Sequence, residues 1–163
     1  CLLGTDYSCK FYRDFSMSID DVFKLFGEVS FQASILEEQL GNICMLNERV
    51  LNQKKYQSSD TKSIVDKFSK MTTGQLLNQI KKALGGTHDD HVDTIFKPAL
   101  ECRNELIHNF FIEYREIRTD NSKIPLAIDE LNRIKSVIDP AANFATTVCQ
   151  TLLVRFIGST RGK

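Results

Sequence analysis

Three prolines and eight glycines are all the punctuation a 163-residue chain carries, and no run of alternating apolar and polar residues persists anywhere along it. A turn-rich β-sandwich or barrel is thereby excluded, since either needs short alternating strands separated by frequent breakers. The chain also has no charge imbalance: twenty-one basic residues cancel twenty-one acidic ones, so no global field draws it to nucleic acid or to an anionic membrane. Any polyanion site must be local. No apolar run is long enough to span a bilayer. The most apolar stretch, from Phe144 to Ile157, is broken by Thr146, Thr147, Gln150, Thr151 and Arg155, and no membrane association is expected.

Cysteine is present in a pattern that excludes two further classes. Cys1, Cys9, Cys44, Cys102 and Cys149 are odd in number and widely spaced, no pair has zinc-finger spacing, and three of them fall inside helical patterns. That usage fits reduced thiols in a cytoplasmic setting better than a disulfide framework or a structural zinc site. There is no glycine-rich phosphate loop following a strand, because there is no strand, and no cofactor is expected. The length suits one domain with a sizeable core and is short for two. The whole of 1–163 therefore reads as a single helical domain, with 1–17 as an N-terminal extension and 158–163 as a tail. The chain starts at Cys1 and not at a methionine; a trimmed start is the simpler reading, a lipid-modified cysteine the other.

What the sequence does have is apolar residues recurring every three or four positions, which predicts an all-α fold. From Ser18, an N-cap followed by Asp20 and Asp21, one stripe runs Val22, Phe26, Val29, Ala33, Leu36, Leu40, Ile43, Asn47, Val50, interrupted only by Asn47. The polar stretch 53–63 ends that helix, and "SIVDKFSKM" predicts a short one. Thr72 and Gln75 have capping-box spacing ahead of "GQLLNQIKKAL", closed by Gly85 and Gly86. A third long helix should begin near Thr87, with Asp89, Asp90 and Asp93 where the dipole favours carboxylates, and reach about Arg115. Pro98 inside it predicts a kink or, less favoured, two abutting helices. After Pro125 a stripe from Ala127 to Leu152 keeps its phase across Asp139-Pro140, which predicts one bent helix. The long helices are thus expected near 18–52, 88–116 and 125–157.

The third long helix carries the anomaly of the sequence. Taking Arg103 as zero and advancing about 100° per residue, Phe96, Leu100, Ile107, Phe110 and Tyr114 fall within about 60° of it. Arg103 is therefore expected near the centre of an apolar face, with Asn104 and His108 on its flank. A guanidinium there costs several kcal/mol unless it is compensated. Glu37, Glu48 and Asn47 are the candidate structural partners, and a half-buried, satisfied His108 is the matching structural reading.

The order of these residues supplies a functional reading. "RNELIH", residues 103–108, resembles the signature of the HEPN (higher eukaryotes and prokaryotes nucleotide-binding) superfamily: an arginine, then a polar residue, often asparagine, then a histidine four to six residues beyond the arginine. Arg103, Asn104 and His108 match the four-residue form. The resemblance implies a bundle of four or five helices with the motif late in the third main helix, and it covers roughly residues 18–157. It further implies a metal-independent endoribonuclease of toxin–antitoxin, abortive-infection or other defence type, acting as a homodimer through the motif helix, with RNA as substrate and an antitoxin or other regulatory protein as a further partner.

The residue types suit that chemistry. Metal-free RNA cleavage needs a base for the ribose 2′-OH, an acid for the leaving 5′-oxygen and a cation for the phosphorane. An imidazole can serve as base or acid, a guanidinium matches phosphate geometry, and Asn104 can orient His108 or bond a phosphate oxygen. One protomer brings one histidine, so a twofold pair of motif helices would complete the site. A subfamily regulated by nucleotide transfer has a tyrosine two residues after the histidine. This chain has Phe110 there, with Tyr114 the nearest tyrosine downstream, so that modification lacks its acceptor.

Weaker signals surround the motif. "HDDHVD" (88–93) spaces His88 and His91 as metal ligands could be spaced, but three acids at a helix start are more simply dipole partners. Lys54-Lys55 and Lys81-Lys82 read as solvated faces, while Arg115 and Arg118 lie near enough to the motif to touch RNA backbone. Two rivals remain beside the ribonuclease: a non-catalytic HEPN-type module binding RNA, nucleotide or protein, and a helical interaction protein in which Arg103 is a structural ion-pair member.

Overall fold

A computed structural model describes residues 17–51, 61–83 and 89–161, and these stretches contain helices and turns with no strand. The first helix, α1 (Ile19–Leu51), starts where Ser18 and Asp21 satisfy one another: the Ser18 N–H donates to Asp21 Oδ2 at 2.8 Å and the Asp21 N–H to Ser18 Oγ at 3.3 Å. This reciprocal bond holds the Asp21 carboxyl below its ordinary range and quiets two of the orphan donors of a helix start. α2 (Thr61–Phe68) and α3 (Thr73–Ala83) are short. α3 begins with the capping box expected of its sequence, the Thr72 N–H donating to Gln75 Oε1 (2.8 Å) and the Gln75 N–H to Thr72 Oγ1 (3.4 Å).

α4 (Asp89–Asn104) is α-helical straight through Pro98, so the proline does not split it in two. At Glu105–Asn109 the chain enters a π turn, in which the Phe110 N–H reaches back to the Glu105 carbonyl. A single α turn follows, α5 (Phe110–Glu113), and then 3₁₀ turns at Arg115–Arg118 and Asn121–Lys123. α6 (Ile124–Arg161) contains Pro140 and is one helix throughout. The phase continuity of its stripe favours a single helix here over two unrelated ones. It passes the expected end near 157, taking in most of the presumed tail. The N-terminal extension up to residue 16, the Lys54-Lys55 pair and the Gly85-Gly86 stop fall outside the described residues.

Two clusters of buried side chains set the packing. One joins Val22, Val29 and Ala33 of α1 to Cys102, Leu106 and Phe110 and to Ile124–Ile138 of α6. The other joins Leu36–Cys44 of α1 to α2, α3, the early part of α4 (Val92, Phe96, Ala99) and Ala141–Ala145 of α6. The membership of the two clusters fixes the directions: α4 runs antiparallel to α1, and α6 runs parallel to it, with α1 and α6 forming the most extensive pair. Leu36, Leu40, Leu131, Ile134 and Ile138 are fully buried between them, each contributing about 2 kcal/mol through the apolar area it removes from water. No helix among the described residues is long and apolar enough to cross a membrane.

Candidate functional site

The apolar face of α4 moves around the helix as it goes from one cluster to the other. Upstream it is Val92, Phe96 and Ala99, centred on the meridian of Arg103. Downstream it is Cys102, Leu106 and Phe110, about 100° away. Arg103 therefore does not occupy the centre of a buried face, as ideal helical spacing had suggested. It sits one turn past the upstream cluster, where the floor opens, and its side chain is 24% exposed. The shift is already present at Cys102, and the π turn then keeps Phe110 on the new face, because it spreads one more residue over a turn than α geometry does and makes everything after it lag. Ile107, expected on the apolar face, is turned out and 47% exposed. His108 is turned back toward the meridians of Arg103 and Asn104.

The result is a cleft of about 950 Å³. Its walls are α1, the end of α2 with the turn after it, the first turn of α3, and the α4–π segment. Arg103, Asn104 and His108 all line it, together with Glu37 and Asn42 of α1 and Thr73 of α3. Arg103 Nη2 lies 2.7 Å from Glu37 Oε1, and Arg103 Nη1 donates to Asn104 Oδ1 at 3.1 Å. The Thr73 hydroxyl donates to the same Glu37 Oε1 at 2.7 Å. Of the three sequence candidates for the partner of Arg103, Glu37 is the one that pairs; Glu48 is taken by Lys67 at 2.7 Å. The first turn of α3 adds backbone N–H groups and the positive end of its dipole to the same wall.

On the other flank of the motif helix a second arginine is bound more heavily. Arg133 Nη2 lies 2.6 Å from Glu105 Oε2, its Nε donates to Glu130 Oε2 at 2.9 Å, and its Nη1 donates to Cys102 Sγ at 3.6 Å. Hydrogen bonds to Glu130 and then Glu105 push the guanidinium pKa up, and the Arg133 bond holds Glu130 below the usual carboxylate range. Sequence reading gave Arg133 no role, and only its i,i+3 spacing from Glu130 hinted at one.

Three thiols are free among the described residues. Burial pushes Cys44 up to about 12 and raises Cys102 and Cys149 as well, which leaves none of them a ready thiolate nucleophile. Phe110, at the place of the subfamily's acceptor tyrosine, is buried in the core. Tyr114 is half-buried, and burial followed by Glu130, Glu113 and Glu105 raises its phenol. Arg115 and Arg118 lie exposed on the 3₁₀ turn and do not line the cleft. His88 and the side chain of His91 lie outside the described residues; among those described, no group of His, Cys, Asp and Glu is placed to hold a metal ion. Comparison of the chain with protein-family models, with curated proteins and with solved structures finds no match to any of them.

Proposed function

We propose that the protein is a HEPN-type, metal-independent endoribonuclease of toxin or defence kind, cleaving RNA at the cleft built around Arg103, Asn104 and His108. The observation that carries this reading is the convergence of the three motif residues on one open cleft. A partly exposed guanidinium there can exchange a carboxylate for a phosphodiester, and an exposed imidazole one turn away can move a proton. Arg103 stabilises the phosphorane charge, Asn104 holds one edge of the guanidinium, and His108 transfers a proton. The reaction uses the ribose 2′-OH as nucleophile and leaves a 2′,3′-cyclic phosphate and a 5′-hydroxyl.

The working form is a homodimer through the motif helix. Support comes from apolar side chains left in solvent beside His108: Ile107, Phe111 and Ile112 are exposed, and so is Phe23 of α1, whose ring lies 5.8 Å from that of Phe111. Exposed large apolar side chains concentrated on one segment, with the Phe23–Phe111 pair beside them, favour an interaction site there. An antitoxin or other regulatory protein would act by covering the same cleft, and Arg115 and Arg118 would contact RNA backbone only beyond its mouth.

A second reading has its own observation. Glu37 and Glu38 line the cleft and offset its two basic groups, as suits a module that binds RNA, nucleotide or protein without cutting. Incubation of mixed RNA with the protein in EDTA, beside His108→Ala, separates the two. Cleavage by the parent and its loss in a variant with an unchanged melt support the nuclease. Binding without cleavage supports the module.

A further inference from the structure

Metal-free cleavage through a 2′-OH moves two protons, one off the nucleophile and one onto the leaving oxygen, and a single histidine handles only one of them in the bond-making step. A second copy of His108 from a twofold partner is one source of the other group. The cleft contains another. Glu37 lines it with Arg103 and His108, and its two carboxylate oxygens are unequally used. Oε1 accepts from Arg103 and from Thr73, both at 2.7 Å, whereas Oε2 has no hydrogen-bond partner among the described residues. The side chain is 33% exposed, so this oxygen is open to a ligand in the cleft. The two bonds on Oε1 anchor the carboxylate from α4 and α3 at once, which fixes where the unused oxygen sits.

We propose that Glu37 is the general base of the cleavage and His108 its general acid, both supplied by one protomer. This rests on the ribonuclease reading above. In the step, the 2′-OH gives its proton to the Glu37 carboxylate as the 2′-oxygen bonds to phosphorus. The bond from phosphorus to the 5′-oxygen then breaks, and that oxygen takes the proton of the His108 imidazolium. Exchange with water restores both groups. Arg103, released from Glu37 by the incoming phosphodiester, carries the phosphorane charge while the Thr73 hydroxyl keeps hold of Oε1. Dimerisation then brings two complete sites together and is not needed to assemble one. The charged and titratable groups that line the cleft with Glu37 are Arg103 from α4, His108 from the π turn and Glu38 beside it on α1; α3 contributes the neutral Thr73.

Glu37→Gln isolates the base from any positioning role. Glutamine keeps an oxygen that can accept from Arg103 and Thr73, yet it cannot take a proton. With mixed RNA in EDTA, Glu37→Gln should lower kcat by about a hundred- to ten-thousandfold at a near-parental KM and melt, and Glu37→Asp should recover part of the loss. In the activity that remains, the acidic limb of the pH–rate profile should flatten. A Glu37→Gln protein within a few-fold of a cleaving parent, with its acidic limb intact, overturns this inference and leaves the ribonuclease reading standing. A parent that cuts no RNA overturns both.

Discussion

Arg103 projects from one flank of the motif helix and Arg133 of α6 grips the other, and their surroundings differ in kind. Arg133 is held by two carboxylates, Glu105 and Glu130, and bonds a thiol besides. It ties α6 to the motif segment although its side chain is 48% exposed. Arg103 has one carboxylate oxygen and one amide oxygen, and it faces a cleft. An arginine meant to grip a phosphate must be able to release its resident partner. One oxygen in a wet site can be exchanged, since such pairs are worth about 0–1 kcal/mol; a guanidinium clasped from two sides is a structural clamp. Exposure alone would rank the two the wrong way round, because the clamp is the more exposed of the pair.

The sharpest way to break this contrast is to remove the cleft groups one at a time. Arg103→Ala and His108→Ala should each lower RNA cleavage by about two to four orders of magnitude, while their melts stay within about 1 kcal/mol of the parent. Initial rates and thermal denaturation on the same preparations check both halves. Next in size is deletion of Asn109, an exposed residue at the end of the π turn. Loss of one residue restores α periodicity, keeps Phe110 in its core register and swings His108 away from Arg103. Helical content should persist and cleavage should fall by about a hundredfold, the scale on which small misplacements act.

The fold was largely legible because its signals are local. The Ser18 and Thr72 caps, the α1 stripe and the phase of α6 across Pro140 each need only neighbouring residues to be read. The site was legible in part. Residue order pointed to Arg103, Asn104 and His108, but ideal α periodicity put Arg103 at the centre of a buried face and Ile107 within it. What differs is the apolar face, which passes to Cys102 beside Arg103 and is carried on to Phe110 by the π turn at Glu105–Asn109; no side chain in "ELIHN" announces an extra residue in a turn. The choice of Glu37 over Glu48 depends on the register between α1 and the antiparallel α4, which periodicity along one helix does not contain. Arg133 was missed for the same reason: Glu105 and Glu130 meet only when α6 is laid on the motif segment.

Smaller effects sharpen the other side of the comparison. Arg133→Ala leaves Glu105 and Glu130 facing one another and should destabilise by about 1 kcal/mol, a figure kept low because so exposed a guanidinium is well screened. Its cleavage rate at a temperature below the melt should stay near the parent's. Smallest is a pH effect. The folded-state pKa of Glu130 is depressed, chiefly by its Arg133 hydrogen bond, so its contribution is present above the unfolded value of about 4.3 and is lost as pH falls through the folded one. Glu130→Gln should therefore melt below the parent at neutral pH, and the gap should close on acidification, a trend that melts taken from neutral pH down to about pH 3 would show.

The most direct measurement pairs the two arginines in one experiment: thermal melts and rates of RNA cleavage in EDTA for the parent, Arg103→Ala and Arg133→Ala. A crossed pattern is expected, with Arg103→Ala as stable as the parent and nearly inactive, and Arg133→Ala less stable and active. An Arg103→Ala protein that cleaves RNA at the parental rate, or that loses about 3 to 5 kcal/mol as a broken buried pair would, contradicts the assignment of Arg103 to a phosphate-binding cleft.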